Sequence, residues 1–202
     1  MITGVLLAAG KSERMGEPKI LLKIGNKTVI EILLNEYLSS KLQEVVLVLG
    51  KNAEMVKTFV NKTFNSDKLT IAVNDNYEMG MFSSIQKGVA VANCKDTLIG
   101  LSDNVLVNTA IINTLIEHYS EGEILIPTTN GRKGHPVIIP QATAQRILKA
   151  DPAKTTLKDI LFSDRDLVKL LPVEDESILI DMDTKEDYKR VLSLYNLSSG
   201  EH

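Results

Sequence analysis

The stretch ITGVLLAA, residues 2–9, is apolar without the in-out alternation of a strand that has one wet face. Strands covered on both faces read this way, and they belong to parallel sheets flanked by helices. The next hundred residues keep to that scheme. Residues 28–39 place apolar side chains at helical spacing, EVVLVLG returns to a strand, and residues 52–64 are helical again. LTIAV, SSIQKGVAVAN, TLIGLSD and TAIINTLIEHY continue as strand, helix, strand and helix. The pattern predicts an α/β fold: a single-domain, Rossmann-like three-layer sandwich, with a mostly parallel sheet and helices on both faces. At 202 residues the chain can bury a full core as one such domain.

Beyond residue 122 the rhythm changes. EILIPTT, HPVIIP, a helix over 141–149, a second near 155–162, DLVKLLP and SILIDM precede a last helix from 184. This half is expected to complete the sheet with a hairpin-like excursion over a ligand. Pro136, which cannot donate to a ladder, marks a strand end or an edge.

The loop after the first strand, AAGKSERMGEPK, contains Gly10-Lys11-Ser12, the tail of a phosphate-binding P-loop. The pattern also needs a glycine five positions before Gly10, and Val5 is there. The dinucleotide fingerprint fails as well, because Gly10 and Gly16 lack a third glycine at the required spacing. What remains is a glycine loop with three spaced cations, Lys11, Arg14 and Lys19, suited to an anion held in some other way. The formal net charge is only −3, so these cations are a local device and point to a small ligand, not to nucleic acid. A single cysteine, Cys94, excludes an intramolecular disulfide, and three scattered histidines form no metal motif. No apolar run approaches the roughly 18 residues of a membrane span. MITGVLLAAG lacks the basic flank and length of a secretory signal, so a cytoplasmic enzyme is expected.

In open α/β sheets ligands bind beyond the carboxyl ends of the strands. Those ends carry NDNYEMGMFSS after the third strand, SDN after the fourth and DMD after a late one. Cations and backbone N–H groups from one loop, with carboxylates from two strand ends, are what phosphates bridged by a magnesium ion require. Each residue also has a structural role open to it. Ser12 suits a helix cap, and Ser83 and Ser84 suit a helix start. Asp103 suits a turn, Asp181 a strand end, and Asp183 with Glu186 a variant capping box opening the last helix. His135 suits a loop, and Cys94 inert packing at a helix end.

LLAAGKSERMGEPKILL resembles the signature of the MobA-like nucleotidyltransferases, L-A-A-G-x-S-x-R-M-G-x-P-K. NDNYEMGMFSSIQKGV is similar to that family's nucleotide-base segment and LIGLSDNVLV to the segment with its metal-binding aspartate. GRKGHPVII and DMDTKEDY resemble its two late motifs, so the resemblance runs from residue 2 to about 192. Within the family the chain looks most like the molybdenum cofactor cytidylyltransferases. It has Ala8-Ala9-Gly10 where the guanylyltransferase branch usually has Ala-Gly-Gly, and GRKGHPV is also similar to the cytidylyltransferase pattern. One departure is clear: the usual Gly-Asp-x-Pro is here Ser102-Asp103-Asn104-Val105.

The resemblance implies the nucleotide-diphospho-sugar transferase type of fold, with a nucleotide half over 1–121, an acceptor half over 122–195 and a frayed tail over 196–202. It implies Mg²⁺-dependent transfer of CMP from CTP to the phosphate of a molybdopterin-type cofactor, maturing a molybdenum hydroxylase. The implied nucleotide site is Leu7, Ala8, Ala9, Gly10, Lys11, Ser12, Arg14 and Lys19, with Asn74, Gly80, Met81 and Ser84. Lys19, Arg14 and Asp103 are the implied catalytic residues, Asp103 and Asp183 the metal ligands, and Arg132, Lys133 and His135 the acceptor contacts. The first loop is shared with transferases that use GTP or act on sugar or isoprenoid phosphates. A non-catalytic cofactor carrier is a further alternative that the residue 102–105 departure leaves open.

Overall fold

The computed structural model describes residues 1–10, 18–93 and 95–199. Strand β1 (Ile2–Ala8) is buried along its whole length, as its unalternating composition predicts. It pairs in parallel on one side with β4 (Glu44–Leu49) and on the other with β6 (Asp96–Leu101). β5 (Leu69–Val73) extends the sheet beyond β4, again in parallel. On the far side of β6 comes β9 (Val137–Ile139), antiparallel to β6 and to β7 (Ile124–Thr129), and β10 (Val168–Pro172) then pairs with β7 in parallel. The full order is β10-β7-β9-β6-β1-β4-β5, with the short β8 (Arg132–Lys133) paired to β7. A separate hairpin of β2 (Lys23–Ile24) and β3 (Lys27–Thr28) leads into the first helix.

Helices α1 (Val29–Ser39), α2 (Ala53–Thr63), α4 (Thr109–His118) and α7 (Lys185–Ser199) cover one face. Helices α3 (Met81–Val91), α5 (Gln141–Lys149) and α6 (Leu157–Ser163) cover the other. Successive strand residues divide between the two cores: Leu6 and Leu47 pack with the first layer, Val5 and Val46 with the second. The three-layer α/β sandwich is therefore the observed fold. No helix among the described residues is long and apolar enough to cross a membrane.

Glycine decides how closely α3 approaches the sheet. A Cβ added at Gly88 would overlap the Val5 side chain on β1 and lie 3.0 Å from Val48 Cγ2 on β4. Gly88→Val is expected to destabilise by about 1–3 kcal/mol, because core strands have no room to retreat. A lowered urea midpoint with an unchanged slope would register it.

Sequence expectations for the second half are corrected at several points. SILIDM is not a strand: Glu176–Leu179 is a 3-10 turn, and residues 180–183 run across the end of β6 without joining the sheet. Its alternation is real, since Ile178, Ile180 and Met182 are all buried, but an extended segment laid over a sheet end buries alternate residues just as a strand does. The last helix is capped one residue later than expected. Thr184 Oγ1 accepts from the Asp187 N–H at 3.1 Å, and Asp187 Oδ2 accepts from the Thr184 N–H at 2.8 Å. Thr184 and Asp187 thus form the reciprocal box, not Asp183 and Glu186. Of the two readings of Pro136 the strand end holds: it directly precedes β9, which is paired on both sides and is not an edge. α7 continues through Ser199, into the stretch read as tail.

Candidate active site

Strand order reverses at β1: β4 lies to one side and β6 to the other, so the loops leaving β1 and β6 diverge. That is where a crevice forms in such sheets. A cleft of about 410 Å³ opens there. Leu7, Ala8, Ala9 and Gly10 line it from the end of β1, and Ser102 and Asp103 from the end of β6. Gly80, Met81 and Ser84 line it from the start of α3, and Lys19 and Asp183 face it as well. Ten of the sequence-expected residues therefore meet in one cavity. Lys11, Ser12 and Arg14, and also Cys94, lie outside the described residues.

Lys19 opens a 3-10 turn, Lys19–Leu21, directly after Pro18. Its Nζ is 3.0 Å from Asp183 Oδ1 and 3.9 Å from Asp103 Oδ2, joining the two carboxylates across the cleft. The Lys19 side chain is 13% exposed, against 26% for Asp103 and 45% for Asp183. Burial pushes the Asp103 carboxyl above its ordinary pKa; Lys19 pulls it back down, while Asp181 and Asp183 push it further up. One Asp103 oxygen, Oδ1, is buried with no hydrogen-bond partner among the described residues. Carboxylate oxygens are hard donors, and they suit a divalent cation such as Mg²⁺ or Mn²⁺. Among the described residues no cluster of three or more His, Cys, Asp or Glu is arranged to hold a metal. Two carboxylates are nevertheless the usual protein share for Mg²⁺, whose remaining positions go to water and substrate phosphates.

The opposite wall is the amino end of α3. Gly80 caps the helix at φ 98°, a conformation that favours glycine, and no side chain caps its first N–H groups. Gly80, Met81 and Ser84 of this helix start line the cleft, and a helix start favours negative charge beside it. The helix start is braced from behind. Asn74 Nδ2 donates to Ser83 Oγ at 2.9 Å and to Ser84 Oγ at 3.0 Å, and Ser83 Oγ is 2.8 Å from the Gly80 carbonyl. Asn74 is buried and is not among the residues lining the cleft; its side chain reaches the cleft wall through the two serines.

Arg132, Lys133 and His135 do not line this cleft either. Arg132 and Lys133 are exposed on β8. His135 lies where β9 begins, its backbone N–H donating to the Ile178 carbonyl at 3.1 Å and its ring Nδ1 buried without a partner among the described residues. Burial holds this imidazole below its ordinary pKa, with Asp181 pulling it partly back.

Lys51, Asn52, Tyr77 and Glu78 line the cleft and were not singled out from sequence. Lys51 and Asn52 follow the carboxyl end of β4, so the strand-end rule carried the signal for them. Asn52 holds a left-handed backbone, φ 64°, at the head of α2.

The fold and site can be set beside known proteins. The MobA-like NTP transferase domain matches residues 4–168. A nicotine blue oxidoreductase of Paenarthrobacter nicotinovorans is 31% identical, over 95% of this chain and 96% of its own. A molybdenum cofactor cytidylyltransferase of Escherichia coli K12 is 23% identical over 91% and 92% of the two chains. A probable molybdenum cofactor guanylyltransferase of Thermococcus sibiricus is 26% identical over 93% and 96%. The crystal structure of Rv0371c from Mycobacterium tuberculosis superposes with a TM-score of 0.79 at 25% identity, covering 95% of this chain and 97% of that one. The same mycobacterial protein has been solved in complex with manganese, at a TM-score of 0.75. With the family domain spanning most of the sheet and the whole cleft except Asp183, the chain belongs to the MobA-like NTP transferase family.

Proposed function

We propose that this nucleotidyltransferase moves CMP from CTP to the terminal phosphate of a molybdopterin-type cofactor and releases pyrophosphate. The observation that carries the reading is the Lys19 amine held between Asp103 and Asp183 in a cleft that the start of α3 also lines. An acceptor phosphate oxygen forms the new bond to the α-phosphorus. The bond from that phosphorus to the bridging oxygen breaks, and pyrophosphate leaves with the electron pair. The acceptor is already anionic near neutral pH, so no general base is needed, and catalysis rests on positioning and charge stabilisation.

In this reading Lys19 and Arg14 grip the triphosphate, together with N–H groups of Ala9, Gly10 and Lys11. Asp103 and Asp183 would hold a divalent cation, Mg²⁺ in the cell, which when bound offsets charge on the phosphates. Support for a divalent cation comes from the buried Asp103 oxygen, without a hydrogen-bond partner among the described residues, and from the manganese complex of the mycobacterial neighbour. Gly80, Met81 and Ser84 face the base. Arg132, Lys133 and His135 are left to the acceptor, at a distance from the nucleotide cleft that a pterin would have to bridge. The preference for CTP over GTP rests on the likeness of Ala8-Ala9-Gly10 and GRKGHPV to the cytidylyltransferases. A molybdenum hydroxylase apoprotein is the proposed recipient of the product.

A thermal-shift panel tests this: CTP, GTP, ATP, UTP and NADPH, each with and without Mg²⁺. A ligand at 100 times its Kd stabilises by about 2.7 kcal/mol, here a rise of roughly 5–10 °C. The expected result is a CTP-selective, Mg²⁺-enhanced shift, followed by pyrophosphate release when molybdopterin is supplied. A GTP preference would reassign the donor. A shift with NADPH alone would replace the transferase reading with the activity named in the Paenarthrobacter relative.

A further inference from the structure

Residues 102–105 lack the glycine and proline that usually flank the aspartate, so the loop after β6 needs another restraint to hold Asp103 in place. Asn104 is 2% exposed, and its Nδ2 donates to Asp181 Oδ1 at 2.6 Å and to the Ile180 carbonyl at 3.3 Å. Both partners only accept, so the amide nitrogen has to face them. The bond to Asp181 is charge-assisted, the stronger class. Alongside it, the Met182 N–H donates to the Asp103 carbonyl at 3.0 Å. Asp103 precedes Asn104 directly, and Asp183 lies two residues after Asp181. These three hydrogen bonds therefore join the loop carrying one carboxylate of the cleft to the segment carrying the other, which is not itself a strand of the sheet.

We propose that Asn104 is a positioning residue that sets the spacing of Asp103 and Asp183, and through it the affinity of the cleft for a divalent cation accompanying a triphosphate. The inference rests on reading the cleft as a metal–nucleotide site. Asn104 itself touches neither ligand. It replaces by side-chain hydrogen bonding the rigidity that a proline ring supplies covalently.

The test measures Mn²⁺ binding by the loss of its free electron paramagnetic resonance signal, with and without CTP, beside CTP binding in the absence of metal. Asn104→Leu should weaken Mn²⁺ binding in the presence of CTP by about tenfold or more, the usual effect of removing a group that orients a ligand. Metal-free CTP binding should stay within about twofold. Asp181 is exposed, so its variants test the same bond with little risk to folding. Asp181→Ala removes the acceptor and should weaken Mn²⁺ binding several-fold. Asp181→Asn keeps an oxygen for the amide and should stay within about threefold. In an Asp183→Asn background, Asn104→Leu should add less than about twofold.

Unchanged Mn²⁺ binding in Asp181→Ala overturns the proposal, even if Asn104→Leu does not fold. So does an equal loss in Asp181→Asn and Asp181→Ala, which would make the Asp181 charge the operative feature. If the wild-type protein binds neither Mn²⁺ nor CTP, the metal–nucleotide reading falls and this inference with it. Normal wild-type binding with unaffected variants refutes the positioning role alone.

Discussion

Lys19→Ala should lower turnover about 10²–10³-fold, the scale seen when one donor aimed at developing charge is removed. The same variant should bind Mn²⁺ alone more readily than the wild type. The two effects have opposite signs because Lys19 occupies two roles at different times. Without ligand, its ammonium lies between Asp103 and Asp183 and competes with any cation for them. With the triphosphate bound, the same ammonium is expected to turn to the phosphates. Lys19 is 13% exposed, and its removal takes a positive charge from between the Asp103 and Asp183 carboxylates. The apo protein should therefore melt lower, and millimolar Mn²⁺ should recover the loss. Pyrophosphate release, metal titration and melting together check the claim. Near-normal turnover would remove Lys19 from the mechanism.

Asp103→Asn should abolish metal-dependent turnover and at pH 7 leave the protein as stable as before or more so. Burial raises the carboxyl pKa of Asp103 in the folded state, with Asp181 and Asp183 adding to the rise against Lys19. Between the unfolded and folded pKa values the folded protein binds more protons, so stability falls as pH rises through that window. Above it the full penalty for a charged, buried carboxylate persists. Asparagine removes the charge and the penalty, and the gain over wild type should vanish below the ordinary aspartate range, about pH 3.9. Melting curves at pH 7 and in acid, beside a turnover assay, read both halves. A strongly destabilised Asp103→Asn would instead identify Asp103 as a turn residue on which the fold depends. Groups kept at a cost to stability are a common mark of working sites.

The layered sheet was legible because burial on both faces leaves an unbroken apolar run, as in Ile2–Ala8, and because helical spacing is distinct from it. Leu69–Val73 and Gln141–Lys149 match their expected bounds residue for residue. The misread segment, SILIDM, shows the limit of the method: alternation reports which side chains are buried, not whether a neighbouring strand exists. The cap moved by one residue because Asp183, Thr184, Glu186 and Asp187 offer two overlapping boxes, and only the fold selects between them. The two halves of the site differ in the same way. The glycine loop and the α3 start are contiguous motifs and could be read directly. Asn104 meets Asp181 across 77 residues, a pairing that periodicity does not encode. Asn74 carried a motif position, but its burial behind Ser83 and Ser84 is a packing fact.

The antiparallel strand β9, inserted between β6 and β7, has a consequence for how such a chain can diversify. Within the sheet, the block β5-β4-β1-β6 is joined to β7 and β10 only through β9, and its seam with β6 is three residue pairs long, Thr97 to Ile139, Leu98 to Ile138 and Ile99 to Val137. Apart from Asp183, the residues that line the cleft all come from the chain before β9. Substitutions on the far side can accumulate without disturbing the near side, provided those three pairs and the crossing at Asp183 are kept. A lineage of such chains can therefore rewrite most of its later residues and inherit the cleft intact.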